Sequence, residues 1–286
     1  MNKHKEAGDD TLIENKNSVL INGGKRKSGT GFFIKLWQLS LAIIIFLILW
    51  EIAPRLGWVE KAYLPPFSDV IASLLNLIKS GVLFKHVGIS LSRSLKGLGL
   101  AIAAGVPLGL FIGWNSNFER TVNPLLQVFR QTSPLALIPV FILFFGIGET
   151  TKVIIVFWGS LWPMLMNTIA GVENTPPLLI KMSRSMGESQ FGLIKHVILP
   201  SASTYIFSGL KVSASISLVM LTAAEMVGSN SGIGYLILYS QQVFRISELY
   251  AALVTVAILG VLLNFAINKI EKLVLYWREE GLGNEA

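Results

Sequence analysis

The chain has 286 residues, of which 52% are hydrophobic and only 14% charged, and it carries a net charge of +7 with no cysteine. A soluble domain has about a quarter of its residues charged, so this composition points to a membrane protein; the missing cysteines exclude disulfides, thiol catalysis and cysteine-based metal sites. The basic balance does not call for nucleic acid as a partner, because the lysines and arginines lie between apolar runs of membrane length.

Residues 1–35 are polar, with the stretches KHKE, GDD and GGKRK, and apolar sequence begins only near Phe32. A cleaved signal peptide would start its apolar core earlier, so this segment reads as a disordered cytoplasmic tail leading into a retained span. Apolar segments then recur at 36–53, 90–114, 122–145, 151–172, 201–227 and 249–270. The expected fold is all-α, a polytopic membrane protein with six transmembrane helices over 36–275 and a short C-terminal tail, 276–286. Fourteen lysines and arginines flank one face of this arrangement and at most eight the other, which places both termini in the cytoplasm of a plasma-membrane protein. Between the first two spans, Val70, Ile71, Leu74, Leu75, Leu77 and Ile78 follow helical spacing after Ser68, a candidate N-cap. This reads either as an amphipathic helix at the outer membrane interface or as a packed external helix.

The second span carries Gly97, Ala101, Gly105, Gly109 and Gly113, one small residue at every fourth position. They share a helix face and let another backbone approach closely, so they are a packing face; Pro107 among them suggests a kink. In the third span, Arg130 precedes Pro134 and Pro139. An arginine inside a membrane is a functional candidate by default, the alternative being that it snorkels to the interface. The fifth span is the most polar: Ser201, Thr204, Ser208, Lys211, Ser215, Thr222 and Glu225 fall within about a third of the helix circumference. Lipid cannot satisfy such a stripe, so Ser208, Ser215, Thr222 and Glu225 join Arg130 as pathway candidates, with interhelical hydrogen bonding as the alternative. Glu225 lies near the outer end, where it serves an outer gate or caps a helix end.

No phosphate-binding G-x-x-x-x-G-K-[ST] occurs, the three histidines (His4, His86 and His196) are scattered, and no hydrolase motif is present. No catalytic residue, metal site or bound cofactor is expected in this chain.

The polar loop 172–200 carries Gly187, then nine residues, then Val197, Ile198, Leu199 and Pro200. This spacing resembles the EAA motif of the permease subunits of bacterial ATP-binding-cassette importers, with Lys181, Met182 and Ser183 standing where that motif has EAA. Further stretches at 90–109, 130–153, 162–172 and 208–237 are similar to the nitrate, sulfonate and taurine importers of the binding-protein-dependent class. The resemblance implies a six-helix transport subunit that is not itself an enzyme. It also implies a second copy of the chain, two ATPase subunits holding the ATP and magnesium, and an extracytoplasmic solute-binding protein. On this reading the loop forms a coupling helix, from about 177 to 191, that docks on the ATPase through Lys181, Met182, Ser183, Gly187, Glu188, Val197, Leu199 and Pro200. The implied cargo is a small anion, with a pyrimidine-type vitamin precursor or another organic solute as the alternative. Read from the residues alone, two other classes stay open: an ion-coupled secondary transporter using Arg130 and Glu225, or a membrane scaffold without a substrate.

Overall fold

The computed structural model describes residues 30–276, with side chains from residue 41 onward. Of the expected tails, 1–35 and 276–286, residues 1–29 and 277–286 lie outside the described residues, while residues 30–35 are helical instead of disordered, because the helix of the first apolar run extends back to Thr30. Two compact units are present, one ending at Lys61 and the other beginning at Ala62. The first contains α1, Thr30–Arg55, built on the apolar run LSLAIIIFLILW.

The second unit holds α2 (Phe67–Lys79), α3 (Val82–Trp114), α4 (Ser116–Gln131), α5 (Ile138–Phe145), α6 (Glu149–Glu173), α7 (Pro177–Ser185) and α8 (Gln190–Leu193). A π-helical turn, Ile194–Ile198, joins α8 to α9 (Leu199–Gly228), and α10 (Ile233–Gln242) and α11 (Ile246–Val274) complete the chain. Every described element is helical, and four continuous helices are long and apolar enough to cross a membrane: α3, α6, the run Gln190–Gly228, and α11.

The fourth, fifth and sixth expected spans match α6, α9 and α11 to within a few residues. Three local expectations are corrected. The segment 122–145 is not one helix: α4 ends at Gln131 and α5 starts at Ile138, because Pro134 disfavours helical backbone at Ser133 and Pro139 fits the first turn of a new helix but not a helix interior. The second span begins at Val82, eight residues earlier than its apolar core, because a polar turn of helix is tolerated where its side chains have buried partners. Ser68 does not cap α2, which starts at Phe67 behind Pro66. Val70 and Leu77 of α2 are buried, and the helix packs on α11 and α3.

At the centre, α6 lies between α3 and α9, and small residues set both contacts. A Cβ at Gly97 would lie 2.5 Å from Val156 Cγ1, at Gly109 2.6 Å from Thr168 Cβ, and at Gly113 2.9 Å from Val172 Cβ; at Gly105 it would lie 3.2 Å from Met164. Ala101, on the same face, is fully buried. The α3 helix runs without interruption through Pro107. Toward α9 the pattern is reciprocal, with Gly159 of α6 facing Met220 and Gly209 of α9 facing Asn167. Close backbones also let short hydroxyls reach across: Ser213 Oγ donates to the Ser160 carbonyl at 2.8 Å, Ser160 Oγ donates back at 3.2 Å, and Ser94 and Ser217 pair at 2.8 Å. Where no apolar driving force separates helix from lipid, such contacts and van der Waals fit hold helices together.

Overpacking this seam is therefore expected to destabilise. Gly109→Leu should cost about 1–3 kcal/mol or more, read as a lower melting temperature of the detergent-solubilised protein, whereas Gly99→Leu, at a position where a Cβ meets nothing within 4 Å, should leave it unchanged.

Candidate functional site

Two polar constructions stand at opposite ends of the bundle. The first is the loop between α6 and α9. Pro177 opens α7 at a position where a missing N–H costs nothing, and the helix stops at Ser185, short of the expected 191. Its end is closed by Gly187, whose φ of 78° is left-handed. Gly187 N donates to the Arg184 carbonyl at 3.0 Å and Glu188 N to the Ser183 carbonyl at 3.2 Å, the paired bonds of a Schellman cap. A Cβ at Gly187 would meet nothing, so this backbone angle, not close approach, is what calls for glycine. Ser189 then caps α8 by accepting from Gly192 N at 3.1 Å.

The inner side of the loop is anchored: Leu193 and Ile198 are buried with Val172 at the end of α6, and Trp114, Ile180 and Val197 pack on them. The Arg184 guanidinium sits over the Trp114 ring at 5.8 Å. The outer side is apolar and basic. Leu178, Met182, Met186 and Phe191 are exposed, Met186 by 85%, alongside exposed Lys181. A groove of about 440 Å³ runs between Met182, Ser183, Met186, Val197 and Pro200. Glu188 and His196 pair across it at 3.2 Å, and Leu199 and Pro200 are exposed at the start of α9. Of the expected coupling residues, the groove brings together Met182, Ser183, Glu188, Val197 and Pro200, whereas Lys181, Gly187 and Leu199 do not line it.

The second construction centres on Arg93 of α3, which is only 4% exposed. Its Nε and Nη2 donate to both carboxylate oxygens of Glu149 at 2.5 Å, and Nη1 donates to Glu225 Oε1 and to the Ser231 carbonyl, each at 2.8 Å. Glu225, 1% exposed, also accepts from Ser90 Oγ at 2.8 Å and from Gly234 N at 2.9 Å, in the first turn of α10. Ser90 Oγ in turn accepts from Ile233 N at 2.8 Å. A carboxylate placed at a helix N-terminus satisfies free amides and complements the helix dipole. A Cβ at Gly232, where φ is 113°, would overlap the Glu225 carboxyl group. Glu149, at the start of α6, is 65% exposed and also binds Lys152 Nζ at 3.1 Å, so two carboxylates and two cations balance. One arginine thereby ties α3, α6, α9 and the α9–α10 turn together.

The expected pathway residues are dispersed. Ser208 and Ser215 lie on the exposed face of α9, with Ser215 Oγ donating to the Lys211 carbonyl at 3.0 Å. Thr222 is half-buried and bonds the Leu218 carbonyl at 2.8 Å. Lys211 turns to α11, where Nζ meets Glu271 Oε2 at 2.5 Å. Arg130 is exposed in the last turn of α4, at the break before α5. Next to it Phe129 stacks on Trp162 at 5.9 Å, beside Trp158 and Phe141. Arg93, His86 and Ser90 escaped the sequence reading, although the signal was available in SLSRSLKG: an arginine flanked by serines at a span's edge.

Residues 105–274 match the family described as binding-protein-dependent transport system inner membrane component. The chain belongs to this family. It is 34% identical to the putative aliphatic sulfonates transport permease protein SsuC of Escherichia coli K12, over 84% of this chain and 90% of that protein. The SsuC of Bacillus subtilis 168 is 29% identical, over 92% and 94% of the two chains. The formylaminopyrimidine transport permease protein ThiX of Halalkalibacterium halodurans is also 29% identical, over 84% and 96%. In fold, the chain is similar to a subunit of the inward-facing MetNI methionine ABC transporter, with a TM-score of 0.60 and 20% identity over 66% of this chain and 94% of that one. The protein is a multi-pass membrane transport subunit of the ABC importer permease class.

Removing one partner from the arginine cluster leaves a buried charge uncompensated. Arg93→Ala and Glu225→Ala are each expected to destabilise the purified protein by about 3–5 kcal/mol. The double variant should lose clearly less than the sum, measured as a double-mutant cycle in thermal or denaturant unfolding.

Proposed function

We propose that the chain is the membrane-spanning permease subunit of an ATP-driven importer for small aliphatic sulfonates, coupled to a separate ATPase through α7. The observation that carries this is the outward face of the 172–200 loop: exposed methionines, leucine and lysine on a rigidly capped helix whose other side is packed onto α3 and α6. Exposed apolar surface of this kind marks a protein contact. The loop joins α7 to α8 through the Gly187 cap, and α8 continues through the π-turn into α9 without a break, so a push on the loop is delivered to the helix that bears Ser208 and Ser215.

In the assembly α1 and the broken pair α4–α5 supply the two spans that bring the four continuous helices to six, with both termini cytoplasmic. Broken helices at membrane depth are tolerated where they line a cavity, and the break carries Arg130, a cation for the sulfonate. A second copy of the chain faces the exposed side of α9, so that the pathway runs between two subunits. ATP and magnesium stay in the ATPase, and an extracytoplasmic binding protein delivers the cargo. The sulfonate assignment is supported by two relatives named as aliphatic sulfonate permeases, one at 34% identity.

Two measurements test this. In proteoliposomes with the ATPase and a loaded binding protein, Gly187→Val should keep the permease folded but cut stimulated ATPase activity at least tenfold, because a β-branched residue resists left-handed backbone. Retained coupling, or uptake driven by an ion gradient without ATPase, would overturn the reading. Separately, calorimetry on the partner binding protein should show preference for alkanesulfonates over nitrate and pyrimidines; tighter binding of a pyrimidine would replace the sulfonate assignment while leaving the coupling intact.

A further inference from the structure

At the end of the subunit away from α7, helices α2, α3, α10 and α11 enclose a cavity of about 450 Å³. Its distance from the α7 end follows from α3: Trp114 packs under Arg184, whereas His86 lies 28 residues earlier, about 40 Å along the helix. The lining includes Asn76, His86, Tyr235, Tyr239, Arg245 and Glu248.

His86 is 9% exposed, and its Nδ1 accepts the Gly232 N–H at 3.0 Å. A ring nitrogen that accepts carries no proton, so the neutral imidazole holds its N–H on Nε2. No described residue accepts from that N–H. The Tyr235 ring lies 5.9 Å from the imidazole and stacks on Tyr239 at 5.8 Å. The side chains of Asn76, Tyr235 and Tyr239 likewise have no hydrogen-bond partner among the described residues. Arg245 is held by Glu248 only at 3.4 Å, longer than a strong charge-assisted bond, so most of its N–H groups are uncommitted. Its place is set by the turn that ends α10. Arg245 N donates to the Ser240 carbonyl at 2.8 Å, and the preceding Phe244 takes a φ of 55°, a left-handed angle that bulky side chains rarely adopt. Backbone outliers of this kind cluster at functional sites.

A cavity with a cation, the free N–H of a largely buried imidazole, two phenols and an amide is a donor-rich cradle with two stacked aromatic walls. We propose that it is a binding site for a small organic oxyanion, with Arg245 supplying the charge and His86 Nε2–H and the tyrosine hydroxyls the directional bonds. Glu248 offsets one positive charge, which disfavours a dianion and accommodates an ammonium group. The ligand is a monoanion or zwitterion: an amino-sulfonate solute, or the phosphoethanolamine headgroup of a phospholipid. The site touches the mechanism through one bond, since Gly232, which donates to His86, adjoins Ser231, whose carbonyl holds Arg93. It does not rest on coupling through α7, and either can fail without the other.

The test uses the full chain. In phosphatidylcholine nanodiscs, taurine titration followed by calorimetry and by the histidine ¹⁵N signals should show binding that moves the Nε2 resonance of His86. Arg245→Gln should weaken it tenfold or more, and Arg245→Lys should recover part of the loss. For the lipid source, native mass spectrometry of protein extracted from phosphatidylethanolamine-rich membranes should show a retained lipid that Arg245→Gln releases. Arginine-dependent taurine binding assigns the site to a solute, and arginine-dependent lipid retention assigns it to a headgroup. If neither ligand responds to Arg245→Gln, a variant at a 60% exposed side chain that should fold normally, the proposal is overturned.

Discussion

The bundle turns on one buried cation. Arg93 is buried in a helix long and apolar enough to cross a membrane, where an unpaired guanidinium would be far too costly to keep, and every one of its nitrogens is spoken for. Because its partners come from α6, from α9 and from the turn before α10, satisfying the charge fixes three elements relative to α3. Glu225 extends the chain of obligations: its carboxylate orders Ser90 and the first amides of α10, leaving few polar groups in that corner free to move independently. Glu149, at the mouth of the cluster, leaves one edge of the network exposed.

Around that fixed corner the helices approach closely because glycine, alanine and serine occupy the seams. α6 contributes Gly159, Ser160 and Gly171 toward α9 and receives the glycine face of α3 on its other side. The result is a three-helix slab in which α6 is buried along both contacts, while the face of α9 with Ser208, Val212, Ser215 and Val219 is exposed among the described residues. The loop that feeds α9 has the same two-sided character. Leu193 and Ile198 are clamped to the ends of α3 and α6, and Met182, Met186 and Leu178 point away. Under the proposed coupling, the anchored side would transmit motion and the free side receive it. The Schellman cap at Gly187 keeps α7 short and squarely terminated between them.

Much of this was legible in the amino-acid order. Apolar length and the lack of charge located α6, α9 and α11, and the every-fourth small residue marked the side of α3 that meets α6, because helix periodicity maps directly onto a face. The loop motif stood out through its spacing. The polar stripe of α9 was visible too, but its members part company in space: Ser208 and Ser215 face outward, Lys211 reaches Glu271 on α11, and Glu225 turns inward to α3. Angular position on one helix says which residues are neighbours, not which of the surrounding helices each will meet.

By itself, then, the sequence determined the all-helical membrane class, the helix faces and the transport family, since these depend on local composition, period and motif. The tertiary structure decided what the long-range partners are. Arg93 and Glu225 are 132 residues apart in the chain and His86 and Gly232 are 146 apart. No periodicity encodes such pairings. The early start of α3 was decided in the same way, because a helix continues past its apolar core where neighbouring elements satisfy its polar side chains, whereas the break between α4 and α5 is local and follows from Pro134 and Pro139.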